Sequence, residues 1–245
     1  MMRLKKIIFT IGFIVVFILA YHYSPYKIEH VGQRNKVWAY RVSTIEKIDF
    51  IQNHYQGMEI DVMFDSERQK LQVKHPNVDC PPIDLKLFLN TLNENKIDGI
   101  WFDLKNLHIG NAAEFSNHLG KLTQDFKLKK IVESPNIESL QFFRDKDFKI
   151  SYYLPGSFDE DAETLASTIK LIKNHLDEFE VDFLSAEMNK YQLAKQHFPN
   201  QSLLFWSPRG TFHSEYFIDS WNRNRILNDP KVEILLVRVD FDSGC

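Results

Sequence analysis

The sequence predicts an α/β protein: a TIM-type (β/α)8 barrel preceded by a single N-terminal transmembrane helix. Three observations carry this expectation. Eight short, apolar, β-rich runs alternate with longer amphipathic stretches, a pattern that builds βαβ units around a mainly parallel sheet. The chain has 245 residues, close to the roughly 250 typical of such barrels. One apolar run with basic flanks opens it.

That opening run is Ile7 to Tyr23, IIFTIGFIVVFILAYHY, preceded by Arg3, Lys5 and Lys6. Its length sits at the short end of a bilayer span. The flanking cations predict a cytoplasmic start, which leaves the rest of the chain on the extracytoplasmic side, periplasmic or extracellular. A cleaved signal peptide has the same outline, but Leu19-Ala20-Tyr21-His22 offers no small-x-small cleavage site. Residues 1–24 are thus expected as a membrane anchor or signal segment, 25–36 as a polar tether and 37–245 as the barrel.

Strands are expected at VWAYR 37–41, MEIDVMF 58–64, GIWFDLK 99–105, KIVES 130–134, FKISYYL 148–154, DFLSAE 182–187, SLLFWS 202–207 and EILLVRVD 233–240. LQVKH at 71–75 reads as an extra strand inserted after the second. Helices are expected near 44–55, 83–95, 112–126, 137–145, 160–175, 189–197 and 214–228. Ser43 or Thr44 would start the first, and Asp159 would cap the one near 160. No glycine-rich phosphate loop follows the first strand, which favours a closed barrel over a dinucleotide-binding open sheet.

Composition narrows the partners. Apolar residues make up 44% of the chain, enough for a sizeable core, and 30 basic against 33 acidic residues leave a net charge of -3. Nothing in that balance calls for nucleic acid. Cys80 and Cys245 are too few for a disulfide-built scaffold, although an exported domain would allow them to pair.

The chemistry concentrates in three segments. Glu59 and Asp61 stand two apart in GMEIDVMF, so a strand points both to one side while Ile60 and Val62 face the other. In a barrel the C-terminal ends of all strands share one mouth. Asp103 and Lys105 from the third strand and Glu133 from the fourth therefore join the pair. Burying adjacent carboxylates without a cation or a basic partner is costly, and an all-oxygen set suits Ca²⁺ or Mg²⁺. Glu59, Asp61, Asp103 and Glu133 are the candidate metal ligands, with pairing of Asp103 or Glu133 to Lys105 as the alternative.

Lys105 and Arg41 are candidate phosphate-holding groups, and His75 is the candidate for proton transfer near neutral pH. Trp206 is a candidate wall for the substrate. Glu187, Arg209, Arg238 and Asp240 approach the same rim. A glycoside hydrolase built on Glu133 and Glu187 would leave Glu59, Asp61, Asp103 and Lys105 without a role.

YRVSTIEKI at 40–48, MEIDVMFD at 58–65, LQVKHP at 71–76 and WFDLKN at 101–106 together resemble, in order, the landmarks of the glycerophosphodiester phosphodiesterase family. That family lies within the phospholipase-C-like phosphodiesterase barrels, and KHPNVDCPP with IWFDLKN is similar to their menorin-like branch. The resemblance implies a divalent cation and hydrolysis of a glycerophosphodiester, a lipid headgroup or a related phosphodiester. The family's metal-binding Glu-x-Asp falls on Glu59 and Asp61, its later histidine on His75, and its acidic-x-Lys element on Asp103 and Lys105.

Two positions depart from it. The family's opening His-Arg pair is Tyr40-Arg41 here, and Pro76 replaces the aspartate that commonly follows the later histidine. Tyrosine's reference pKa near 10 makes it a poor base at neutral pH, and losing one well-placed acid or base costs on the order of 10²–10⁴-fold. Two functions are therefore expected in competition. One is a metal-dependent phosphodiesterase in which Tyr40 orients a hydroxyl beside His75 and Lys105. The other is a catalytically impaired, membrane-anchored binding or assembly module with a protein partner.

Overall fold

The computed structural model describes residues 2–159, 161–207 and 216–239. Arg209, Asp240 and Cys245 lie outside the described residues. In chain order the strands are β1 (Val37–Tyr40), β2 (Gly57–Asp65), β3 (Lys70–Val73), β4 (Ile83–Asp84), β5 (Gly99–Leu104), β6 (Lys129–Ser134), β7 (Lys149–Tyr153), β8 (Phe183–Glu187), β9 (Ser202–Ser207) and β10 (Val232–Arg238). Eight of them run parallel in the order β1-β10-β9-β8-β7-β6-β5-β2, and Ala39 pairing with Met58 joins β1 to β2 and closes the ring. The barrel is TIM-type, as expected. β3 and β4 extend antiparallel from the outer half of β2, which is the extra-strand excursion that carries His75.

Alternation along the strands divides the core in two. Ile60, Val62, Phe102, Leu104, Val132, Ile150, Leu184, Phe205 and Leu235 face outward into the large cluster shared with the helices. Trp38, Trp101, Ile131, Phe183, Leu204, Ile234 and Leu236 form a second cluster that fills the barrel interior, with Tyr40 and Trp206 packed on it. Trp38 fits because its neighbours have no side chain: a Cβ at Gly57 would sit 2.4 Å from its ring, and one at Gly99 would sit 2.5 Å away. The indole takes the space that two side chains would otherwise share.

Around the barrel run α2 (Glu46–His54), α3 (Leu85–Leu89), α4 (Ala112–Thr123), α5 (Ile137–Leu140), α6 (Ala162–Glu178), α7 (Tyr191–His197) and α8 (Tyr216–Leu227). Three local expectations need correction. Asp161, not Asp159, caps α6, accepting from the backbone N–H of Glu163 at 3.0 Å and Thr164 at 3.1 Å, because only the residue next to the first turn reaches those donors. Neither Ser43 nor Thr44 caps α2; Ile45 holds that position and has no capping side chain. The helix expected over 83–95 shrinks to α3: in the NTLNENK that follows Leu92 still packs on the core, but the asparagines around it are poor helix formers and the chain turns.

At the N-terminus, α1 spans Met2–Tyr23. Ile7, Phe9, Phe13, Val16, Phe17 and their apolar neighbours through Leu19 are exposed around it. Among the described residues, no helix is long and apolar enough to cross a membrane. The expected transmembrane helix is thus present as a helix, and its crossing of a membrane is not supported. Residues 25–36, expected as a tether, contain two 3-10 turns, Ile28–His30 and Arg34–Lys36, and bury Glu29 and His30. Glu29 pairs with Arg223 of α8 at 3.3 Å, both buried. Lys36 binds the Leu227 and Asp229 carbonyls at 3.0 Å each. Cys80 is held in a disulfide.

Candidate active site at the barrel mouth

The C-terminal strand ends deliver the expected residues to one place. Tyr40, Arg41, Glu59, His75, Asp103, Lys105, Glu133, Tyr153, Trp206 and Leu236 line a cavity of about 210 Å³. Register explains the acidic ring: Asp61 pairs with Asp103, Asp103 with Glu133, and Glu133 with Ser151 across four neighbouring strands. In-register positions on parallel strands present their side chains to the same face.

Glu59, Asp61 and Asp103 each offer an oxygen within 4.8 Å of the others, close enough to hold one cation. Glu59 and Asp61 are buried and Asp103 is half-buried. Glu59 Oε2 accepts the Arg41 backbone N–H at 2.7 Å, while Oε1 is buried with no hydrogen-bond partner among the described residues. Lys105 Nζ lies 2.8 Å from Asp61 Oδ1 and also contacts Asp103 Oδ2. The Asp61 contact is an ion pair without hydrogen-bond alignment, so Oδ1 too is left without a hydrogen bond. Arg41 Nε approaches Asp61 Oδ2 at 3.4 Å.

Charge does not balance in this arrangement. Among the described residues the mouth gathers four carboxyl groups, Glu59, Asp61, Asp103 and Glu133, against two fixed cations, Arg41 and Lys105. Burial, reinforced by Asp61 and Asp103, pushes the Glu59 carboxyl well above the ordinary range. Burial raises Asp103 to about 6, with Lys105 opposing and Asp61 adding to the rise. Glu133 is likewise raised well above its usual value, by burial and then by Asp103. Burial pulls the Lys105 ammonium down, but Asp103, Asp61 and Glu59 outweigh it and hold the group firmly charged. A divalent cation fits the donor set: it supplies the missing charge and a partner for the orphaned oxygens.

His75 is half-buried at the cavity edge, its Nδ1 accepting the Asn77 backbone N–H at 3.1 Å. That leaves the neutral ring with its hydrogen on Nε2. Burial lowers its pKa, with Arg41 and Lys105 adding to the effect and Asp61 opposing it. The Tyr40 hydroxyl accepts from Arg41 Nη2 at 3.1 Å. Burial and the Glu59 charge raise its pKa, so it enters the site as a protonated phenol.

Tyr153 was missed by the sequence reading, although its place two residues beyond Ser151 at the end of an expected strand was the signal. Its ring lies tilted against Trp206, centroids 5.1 Å apart, and the two form one aromatic wall. Glu187 faces a neighbouring groove between α7 and α8 instead. Arg238 is exposed at the end of β10, in register with Tyr40.

No protein-family profile matches this sequence, and no curated protein sequence does. Solved structures match the fold. A candidate glycerophosphodiester phosphodiesterase from Galdieria sulphuraria superposes with a TM-score of 0.58 at 14% identity, over 82% of this chain and 93% of that one. An Oleispira antarctica phosphodiesterase, solved in complex with its product sn-glycerol-3-phosphate, gives 0.56 at 12% identity, over 82% and 92%. A glycerophosphodiester phosphodiesterase from Parabacteroides distasonis gives 0.55 at 15% identity, over 84% and 94%. At these identities the likeness establishes the barrel, and chemistry has to be argued from the mouth.

Proposed function

We propose that this chain is a divalent-cation-dependent phosphodiesterase acting on a glycerophosphodiester, a lipid headgroup or a related phosphodiester. One observation carries the reading: Glu59, Asp61 and Asp103 converge within 4.8 Å in a mouth short of positive charge, beside His75 and Lys105. The likeness of the sequence landmarks to the glycerophosphodiester phosphodiesterase family, with its menorin-like branch, and the barrels of similar shape support it. Ca²⁺ or Mg²⁺, held by Glu59, Asp61 and Asp103 with Glu133 in reserve, would polarise the phosphoryl group.

The chain's own residues do the rest. Lys105 and Arg41 hold the non-bridging phosphate oxygens, a compact charge and a planar fork respectively. His75 would take the attacking hydroxyl's proton on Nδ1 once that atom parts from the Asn77 N–H, and the imidazolium so formed would give its Nε2 proton to the leaving oxygen. Tyr40 orients the attacking hydroxyl by donating a hydrogen bond rather than by removing a proton. Tyr153 and Trp206 exclude water on one side.

The reading includes attachment to a membrane through α1, with the barrel on the extracytoplasmic side. It rests on apolar side chains exposed on every face of α1, which water does not tolerate in bulk, and on the cations at its start. A second reading, a non-catalytic binding module with a protein partner, draws on Tyr40 and on the ion pairs that Lys105 and Arg41 already make with Asp61. A phosphodiester panel assayed with and without Ca²⁺, Mg²⁺ or Mn²⁺ decides between them. Metal-dependent turnover that a Glu59→Ala/Asp61→Ala double variant abolishes is the expected result. Metal binding without turnover on any substrate would favour the module.

A further inference from the structure

We infer that the groove between α7 and α8 is a second subsite, which takes the alcohol of the phosphodiester that the mouth does not enclose, and that this alcohol is polyhydroxylated, a polyol or a sugar. This deepens the phosphodiesterase reading and rests on it for the phosphate, which belongs to the mouth.

Groove and mouth share one edge of the barrel. Glu187 ends β8 and Ser207 ends β9, so both lie on the rim that the C-terminal strand ends form. Trp206 lines the mouth, whereas Ser207 beside it lines the groove, as alternation along a strand requires. Glu187 stands in register with Trp206 and lines the groove. Its charge is also felt in the mouth: the Tyr153 phenol is raised by burial, then by Glu133 and Asp103, and Glu187 adds to the rise. The groove begins where the Tyr153–Trp206 wall ends.

Size calls for such a neighbour. The mouth holds about 210 Å³ and the groove about 330 Å³, while sites that enclose a small molecule commonly offer about 300–1,000 Å³. A phosphodiester carries an alcohol on each side of its phosphorus. The mouth by itself falls short of both, and the two cavities together fall within the range.

Arg225 sets the chemistry of the groove. Its Nη2 donates to Asn222 Oδ1 at 3.2 Å. The Gln192 carboxamide oxygen accepts from Nη1 at 3.1 Å and from Nη2 at 2.9 Å, and the guanidinium lies 5.5 Å from the Tyr191 ring centroid. The cation is thus committed to the groove's own walls. With both carboxamide oxygens turned to Arg225, Asn222 and Gln192 have their NH2 groups left to offer a ligand. Glu187 offers acceptors alone, and among the described residues no hydrogen bond or ion pair engages its carboxylate. Asp219 adds negative charge to the lining, so a second phosphate is repelled. An ammonium group would suit Glu187 and leave the NH2 groups without an acceptor. A hydroxyl donates to the carboxylate and accepts from an NH2 through the same oxygen, and several hydroxyls on one skeleton use both kinds of partner at once. A site matched in this way rejects an analogue that lacks the hydroxyls, because its polar groups are then left unpaired.

The test compares glycerophosphoinositol with glycerophosphocholine, which share a glycerophosphate half and differ in the second alcohol, one ringed by hydroxyls and the other a quaternary ammonium. Binding to the full chain is measured by calorimetry in chelator, and again with Ca²⁺ in the His75→Ala variant. We expect the inositol compound to bind about tenfold tighter or more. Glu187→Gln and Asn222→Asp should each remove most of that preference. Asn222→Asp keeps an acceptor for Arg225 and deletes only the NH2 donor, so the walls of the groove stay in place. Equal affinity for the two compounds, tighter binding of the choline compound, binding of neither under both conditions, or a preference that neither variant changes overturns the inference. The hydrolytic reading fails or stands separately. Preferential binding with no turnover of either compound by the parent in Ca²⁺, Mg²⁺ or Mn²⁺ would strike hydrolysis and leave the groove assigned. Cation-dependent turnover with equal kcat/KM on both compounds would keep hydrolysis and overturn the groove.

Discussion

Arg41 donates its backbone N–H to the buried Glu59 carboxylate at 2.7 Å while its own backbone sits at a positive φ of 54°. A non-glycine residue in the left-handed region carries strain on the order of 1 kcal/mol or more, and such residues gather at functional sites. Here the bend at the end of β1 turns an amide toward Glu59 and the guanidinium toward Asp61. Arg41→Gly should relieve the strain and melt above Arg41→Ala by about 1 kcal/mol in denaturant titrations. Both variants should bind a phosphodiester substrate or inorganic phosphate more weakly. Equal stability of the two would show that the backbone is not strained.

Glu59→Gln keeps the acceptor for Arg41 and removes one negative charge from a crowded, buried set. In chelator it should be as stable as the parent or more so, since an uncompensated buried charge is lost. The parent should gain about 2.7 kcal/mol at a cation concentration 100 times the dissociation constant, and the variant should gain much less. Thermal melts with and without Ca²⁺ or Mg²⁺ read both effects.

His75→Ala should bind cation normally and lose on the order of 10²–10⁴-fold in turnover. Comparing the cation-induced shift in melting temperature with the rate separates the roles. A variant that turns over at the parent rate would remove the imidazole from the mechanism.

Gly57→Ala should destabilise by about 1–3 kcal/mol or more, as overpacked cores do, because its methyl group would enter the Trp38 ring at 2.4 Å. Trp38→Phe in the same chain should recover part of that loss. Urea titrations of the single and double variants measure the coupling.

Burial pushes the His30 imidazole down to about 4, with Glu29 opposing and Arg223 assisting. Its unfolded value is near 6.5, so between those limits the unfolded chain binds the extra proton. Stability must then fall as pH drops from about 6.5 to about 4, by an amount on the order of 3 kcal/mol, and this group adds nothing further below that. His30→Phe should flatten the profile in that window. A parent protein equally stable at pH 7 and pH 4.5 would contradict it.

Much of this molecule was legible in the sequence, and for a local reason. All eight barrel strands announced themselves because period-two alternation is a property of neighbouring residues; Glu59 with Asp61 and Asp103 with Lys105 could be assigned a common side on that ground alone. The barrel rule then gathered them at one mouth. Tyr153 escaped because a tyrosine at a strand end looks the same whether it faces the mouth or the helices. Asp159 falls two residues short of the true cap, Asp161, because a cap depends on where the first turn begins, which the apolar pattern leaves open by a residue or two.

The rest belonged to tertiary structure. Segment 25–36 reads as a polar tether, yet Glu29 is buried because Arg223, distant along the chain, meets it across α8. Gly57 and Gly99 reveal their purpose only once Trp38 lies between them. The sequence by itself determined the strands, their faces and the identity of the acidic set. Only the closed barrel decided that Lys105 reaches both Asp61 and Asp103 and that one Glu59 oxygen goes unpartnered, because charge balance in a buried site depends on distances between strands, which no local pattern encodes.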